Sequence, residues 1–239
     1  MASAAQRQRR TANLHGRIAG PQDAYERCRA FPCESRTTAD RGEGLNRLYC
    51  RKHIEFYRRH GSYVKDSYGA GELRPYRMRA LGWLKANGHE QAVRSAVEGV
   101  QRLYRSSGAP IAASRLAGLS PTDRANAAWA QLRKGGIEPL EVVASWLAVN
   151  FRIRDDLQPD RHEEYREVQA AKLVHRMVGG MHKRWELEQS DGRVAVTEFH
   201  KHPVSRGRVL RVLGRQLGAV CGELSQGMQD LGDQPNQGV

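Results

Sequence analysis

Cys28 and Cys33 bracket four residues in "CRAFPC", and sixteen residues further on Cys50 and His53 bracket two in "CRKH". Thiolate and imidazole bind borderline divalent cations. Two close pairs supply four donors for a tetrahedral ion such as zinc, with bonds of about 2.3 Å to sulfur and about 2.0–2.1 Å to nitrogen. The first pair can form a knuckle, with Pro32 bending the chain just before Cys33. If residues 50–60 are helical, Cys50 and His53 share a face one turn apart, and Ile54 and Tyr57 continue it. Gly61 then serves as the helix stop. The competing reading makes the cysteines small buried hydrophobes and His53 an ordinary histidine. The expectation is one structural zinc ion held by Cys28, Cys33, Cys50 and His53. His60 is a substitute fourth ligand, and Cys221, alone near the C-terminus, reads as a packed thiol.

Other chemistry is thin. The sequence has no glycine-rich phosphate loop and no G-x-S-x-G elbow. The acids of "RDDLQPDRHEE" (Asp155, Asp156, Asp160, Glu163, Glu164) could hold a cation, but a solvated loop followed by an acid-rich helix start accounts for them better. His175 and His182 lie seven apart on one expected helix, and "HKH" at 200–202 follows a possible strand. Neither sits with an asparagine in the strand–loop–helix setting that a metal nuclease needs. The chain is therefore not expected to be an enzyme.

These residues have to be positioned by something, and beyond residue 75 the periodicity is helical. "PYRMRALGWLKANG" opens on Pro75, suited to a first turn, and closes at Gly88. "HEQAVRSAVEGVQRLYRSSG" places Ala92 or Val93, Ala96 or Val97, Val100, Leu103 and Tyr104 at helical spacing. In "SPTDRANAAWAQLRKGG", Ser120 can cap, Pro121 suits the first position, Asp123 supplies a carboxylate at the third, and Gly135-Gly136 end the helix. "EPLEVVASWLAVNF" should be a buried central helix. Residues 160–187 read as a further helix that Gly179-Gly180 kink or end. "GRVAVTEF" alternates like a strand, without an evident partner. In the last helix, about 205–231, Leu210, Leu213, Leu217, Val220 and Leu224 recur at 3-4-3-4 spacing. That stripe packs within the chain or forms a homodimer seam. Gly214, Gly218 and Gly222 make a second row that lets another helix come close. A helix-turn-helix over "IAASRLAGLSPTDRANAAWAQLRKGG" is a further option, offering Arg124, Asn126 and Arg133 to a groove.

The metal-ligand segment also resembles a family. "CRAFPC…GLNRLYCRKHIEFYRRHG" is similar to the short treble-clef-type zinc module of phage and mobile-element proteins. Its usual form is two cysteines, a linker, Gly-Leu-Cys-x2-His-Tyr, further basic residues and an Arg-His-Gly ending. Here the pattern falls on Cys28, Cys33, Gly44-Leu45, Cys50, His53 and Arg59-His60-Gly61. Four residues separate Leu45 from Cys50 where the family has few or none, and Ile54 replaces the aromatic. The resemblance covers residues 28–61 and implies zinc. The module often precedes an HNH nuclease domain, which makes nuclease the enzyme alternative.

Charge sets the partner class. The net formal charge is +13, and residues 1–85 hold 18 Lys and Arg against 8 Asp and Glu, whereas residues 86–239 hold 21 against 18. The positive field sits beside the cysteines, where it attracts polyanions. No apolar run reaches the 18 or so residues of a membrane span, and no secretory signal opens the chain. Four cysteines in 239 residues argue against a disulfide scaffold and for a reducing, cytoplasmic setting. The expected fold is mainly α, with a small N-terminal zinc-binding module followed by an α-helical bundle. The expected division is a basic arm at 1–21, the module at 22–66, a linker at 67–75 and a helical domain at 76–239. The expected function is zinc-dependent binding of nucleic acid, DNA before RNA, by an accessory or regulatory protein of bacterial or phage type. Arg9, Arg10, Arg47, Arg51, Lys52, Arg58 and Arg59 are the expected phosphate contacts. The rival is a protein-interaction or structural component that works through the C-terminal helix, with zinc as a staple.

Overall fold

Ser120 Oγ accepts a hydrogen bond from the Asp123 N–H at 3.1 Å, Pro121 occupies the first turn, and Gly136, at φ 67°, lies beyond the end. A capped start and a glycine stop fix that helix locally. In the computed structural model the described residues are 8, 11, 27–37, 48–112, 115–178, 181–188, 194–201 and 207–227. They contain seven named helices and one hairpin: α1 (Arg51–His60), α2 (Ala70–Ala86), α3 (Gln91–Ser106), α4 (Pro121–Lys134), α5 (Pro139–Arg154), α6 (Glu163–Met177), β1 (Met181–Glu188), β2 (Val194–Lys201) and α7 (Gly207–Gly227). The fold is mainly α, as expected. No helix among the described residues is long and apolar enough to cross a membrane. The chain divides into two compact units, Met1–Arg59 and His60–Val239.

In the larger unit α5 is apolar on most of its circumference and buries Val142 to Val149, Phe151 and Ile153. It packs against α2, α3, α6 and α7, while α7 also lies against α3, α4 and α6. Trp129, Leu132, Leu147, Tyr165, Leu213 and Leu217 fill the middle with almost no exposed surface. Trp129 is fully buried yet satisfied, because its indole N–H donates to Gln216 Oε1 at 2.8 Å.

Several expectations need correcting. Residues 181–188 are a strand, not a continuation of α6. They pair antiparallel with β2 from Met181 opposite Lys201 to Glu188 opposite Val194, which supplies the partner that "GRVAVTEF" lacked in sequence. Helix α2 starts at Ala70, inside the segment read as a linker, with Pro75 in its interior. The start is stabilised by Glu72, whose Oε2 accepts the Gly69 N–H at 3.1 Å. Pro75 costs only the bond to the exposed Gly71 near that end, where water can replace it. The helix-turn-helix fails because no α-helix precedes α4 among the described residues of its first half. Arg133 is also committed to the carbonyls of Tyr104 and Gly108, each at 2.6 Å.

The seam residues are core. Leu210, Leu213, Leu217 and Leu224 are each at most 2% exposed, and Val220 is half-buried against Gly99. The chain's own helices cover the four leucines. The glycine row behaves as read at two of its three positions. A Cβ on Gly214 would lie 2.6 Å from the Glu167 carbonyl oxygen, and one on Gly218 would meet the Trp146 ring at 3.3 Å. Gly222 has open space.

A short segment, 61–69, leads into α2 and is pinned along its length. Gly61 has φ 77°, and a side chain there would strike the backbone of Glu164 at 2.9 Å. Tyr165 donates to the Asp66 carbonyl at 2.6 Å and Gln169 to the His60 carbonyl at 2.8 Å. Lys65 and Arg152 pair with Asp156 at 2.8 and 3.6 Å, and Tyr68 donates to it at 2.8 Å. Asp156 is therefore not a solvated acid. Its side chain is 7% exposed. Burial alone would raise its pKa, but Lys65, the Tyr68 hydroxyl and the Gln158 N–H outweigh that and hold it at about 2.

A carboxylate depressed below its ordinary 3.8 stabilises the fold above that pH and loses the contribution as pH falls towards 2. At most about 2 kcal/mol is involved. Urea titrations of the full chain between pH 5 and 2 are expected to show that loss. Asp156→Asn should be less stable at pH 7 and flatter across the window, and parallel profiles for the two proteins would contradict the assignment.

Candidate metal centre

The smaller unit builds its core from very little. Cys28, Ala30 and Cys50 are its buried apolar cluster, with Cys33 and Tyr49 partly buried against them. The backbone around the first pair folds back on itself. The Cys28 N–H donates to the Ser35 carbonyl at 2.9 Å, the Cys33 N–H to the Ala30 carbonyl at 2.7 Å, and Arg27 bridges antiparallel to Arg36. The Phe31–Pro32 peptide within this turn is cis. On the other side, the Arg29 N–H donates to the Leu48 carbonyl at 2.9 Å, which draws the strand-like turn to the start of α1. The Cys50 carbonyl accepts from the Ile54 N–H at 3.0 Å, so Cys50 and His53 project from the same first turn.

The result brings all four expected ligands together. Three sulfurs and one imidazole nitrogen lie within 4.8 Å of one another. Cys28 Sγ and Cys50 Sγ are 3.3 and 3.2 Å from His53 Nδ1, and Cys33 Sγ is 3.9 Å from Cys50 Sγ. None of the cysteines is in a disulfide, and 3.9 Å is far beyond the roughly 2.05 Å of an S–S bond.

The spacing fits a metal. For a tetrahedral ion with bonds of about 2.3 Å to sulfur and about 2.05 Å to nitrogen, the edges are about 3.8 Å between sulfurs and about 3.5 Å from sulfur to nitrogen. The Cys28–His53, Cys50–His53 and Cys33–Cys50 separations match those edges to about 0.3 Å, and all six lie within 4.8 Å. The donor set, three sulfurs and one nitrogen, suits zinc among the divalent metals.

Within the cluster Cys33 and Cys50 are shifted in opposite directions. Hydrogen bonds from the side chain and then the backbone of Ser35 lower Cys33, whereas burial raises Cys50. Ser35 was not singled out from sequence. A serine two residues beyond a knuckle carries no pattern until its backbone is seen to turn back. His60 is not part of the cluster, and it bonds Ser67 instead. Cys221 is fully buried in the larger unit, and burial pushes its thiol up to about 12, as a packed thiol requires.

The expected phosphate contacts divide into two groups. Arg51, Lys52, Arg58 and Arg59 are exposed on α1. Arg51 also pairs with Glu55 at 3.2 Å, an ion pair with both side chains in water. Arg9, Arg10 and Arg47 lie outside the described residues. Of the histidines weighed for a nuclease, His175 is buried on α6, where burial lowers its pKa, and His182 and His200 fall opposite one another in the hairpin. His202 lies outside the described residues.

Comparison with protein-family models, curated proteins and solved structures finds no match to this chain.

Proposed function

We propose that the four-residue cluster holds one structural zinc ion and that the ordered unit presents the basic residues of α1 to nucleic acid, DNA in preference to RNA. The observation that carries this reading is the convergence of Cys28, Cys33, Cys50 and His53 to within 4.8 Å in a unit whose buried apolar cluster is three residues. So small a core does not hold a fold alone, and a bound metal supplies the missing folding free energy. The role is then structural. All four metal positions are taken by protein, and no open site is left for a substrate.

Arg51, Lys52, Arg58 and Arg59 cluster on ten residues of helix and neutralise backbone phosphates there. The net +10 of residues 1–85 strengthens the encounter. Phosphate contacts of this kind give affinity without sequence readout. An accessory or regulatory role of bacterial or phage type, in the cytoplasm, follows from the motif's resemblance to treble-clef-type modules. The rival reading through the C-terminal helix loses support because its apolar stripe is buried.

Fluorescence anisotropy of the full chain with labelled duplex DNA, single-stranded DNA and RNA tests the proposal. Affinity for duplex is expected to fall with salt at a log–log slope of roughly −4, about −0.9 for each of four phosphates. A chelator should abolish that binding. Binding that ignores both salt and chelator contradicts the reading.

A further inference from the structure

The larger unit carries a second cluster that the metal reading does not use: His60 at the end of α1, Asp66 and Ser67 in the pinned segment, and Lys172 on α6. Ser67 Oγ lies 2.9 Å from His60 Nδ1, and the ammonium of Lys172 hydrogen-bonds the same Oγ. The backbone N–H of Ser67 also points at His60 Nδ1, at 3.1 Å. A backbone N–H only donates, so Nδ1 must be the unprotonated nitrogen and Nε2 carries the ring hydrogen. Nε2 lies 4.0 Å from Asp66 Oδ1, too far for a hydrogen bond, so this exposed carboxylate adds only a screened attraction for the cation that forms when Nδ1 is protonated. The Ser67 hydroxyl therefore has one role left towards Nδ1, that of donor. Its lone pairs face Lys172.

We propose that Ser67 is an activated nucleophile with His60 as its base, and that it attacks the phosphorus of an anionic phosphoester. In the step, Ser67 Oγ forms a bond to phosphorus, the leaving group departs with the electrons of the bond it breaks, and the hydroxyl proton passes to His60 Nδ1. Lys172 stabilises the oxygen as it sheds that proton. A hydroxyl nucleophile hydrogen-bonded to an imidazole base is the core of covalent catalysis, independent of fold.

Three further observations support the assignment. The base and nucleophile are preorganised, since Gln169 holds the His60 carbonyl and Tyr165 holds the Asp66 carbonyl. Ser67 and Lys172 are each only partly buried, so a reagent can reach them. Lys172 meets the oxygen directly, Arg176 lies one helical turn from Lys172, and burial together with Arg176 and Arg211 lowers the Lys172 ammonium to about 8. Such a field suits an anionic phosphoester better than a neutral carboxylic ester. The cluster shares no residue with the zinc ligands and stands or falls without them.

The test treats native full-length protein with a fluorophosphonate, which forms an Oγ–P bond and releases fluoride. Intact mass and peptide mapping are expected to place one adduct on Ser67, formed at least about 100-fold faster than in urea-denatured protein. His60→Gln keeps an acceptor for the Ser67 N–H but is a poor base. It should slow labelling about 100-fold while circular dichroism shows an unchanged fold. Ser67→Ala should remove the adduct. Labelling no faster in native than in denatured chain, or an adduct elsewhere, overturns the nucleophile. With 4-nitrophenyl esters, a burst of one nitrophenolate per chain is expected from a phosphodiester and a slower one from acetate. The reverse order overturns the substrate class.

Discussion

Cys50→Ser, made in the full chain, is expected to lose its zinc and with it the order of the smaller unit. Metal analysis should fall from one zinc per chain to none. Hydrogen exchange should show the Cys28, Arg29 and Cys33 amides, which donate to Ser35, Leu48 and Ala30, lose their protection. The effect is large because the alternatives to the metal are few. Structural zinc in small domains contributes about 10–16 kcal/mol at neutral pH. Burying three residues of the size of cysteine and alanine contributes only a few kcal/mol, since each methylene is worth about 0.8 kcal/mol. Ligand loss also leaves the buried Cys28 thiol and the partly buried Cys33 thiol beside an imidazole with no ion between them. The larger unit has its own core and should keep its amide protection. Cys221→Ser is the control, since Cys221 is not in the cluster and the variant should retain its zinc. Retained protection after Cys50→Ser, or a chain that never carried metal, would falsify the zinc assignment.

The second large effect is a pair of opposite signs from one substitution on one helix. Gly214→Ala is expected to destabilise the chain by about 1–3 kcal/mol. Gly222→Ala should stabilise it by about 0.5–1 kcal/mol. Both changes raise helix propensity equally, so the difference reports packing. At Gly214 the added carbon would sit 2.6 Å from the Glu167 carbonyl oxygen and 2.8 Å from its carbonyl carbon, backbone atoms of α6 that no side-chain rotation can clear. At Gly222 nothing lies within 4 Å. Gly218 falls between, because its nearest neighbour is the Trp146 ring edge at 3.3 Å. Urea denaturation of the three variants checks the order, and a destabilised Gly222→Ala would mean that α7 is covered there by something else.

How much of this was legible in sequence follows from how local each determinant is. The Ser120–Pro121–Asp123 start and the Gly135-Gly136 end of α4 need only adjacent residues, and both hold. The metal cluster was legible because ligand chemistry is confined to few residue types and the pairs are close in the chain. What failed was non-local. Met181 and Trp185 continue the helical spacing of Met177 and Val178, so residues 181–187 read as helix unless Gly179-Gly180 end it. Only pairing with 194–201 makes them a strand. Asp156 looked like one acid among five until Lys65, some ninety positions away, was found against it. The leucine stripe of α7 shows that a face is buried but not by what. His60 and Ser67 are seven residues apart, but Lys172 lies 105 positions from Ser67, so no motif joins the three.

The burial of Cys221 gives the protein an internal clock. A thiol-specific dye can reach sulfur only as thiolate and only where it can enter. Fully enclosed and pushed up to about 12, Cys221 stays silent until the larger unit opens as a whole. If the cluster holds the proposed zinc, the sulfurs of Cys28, Cys33 and Cys50 become reactive on a different occasion, when that ion leaves. A single time course of dye uptake therefore separates demetallation from global opening by stoichiometry alone: three equivalents first, then one.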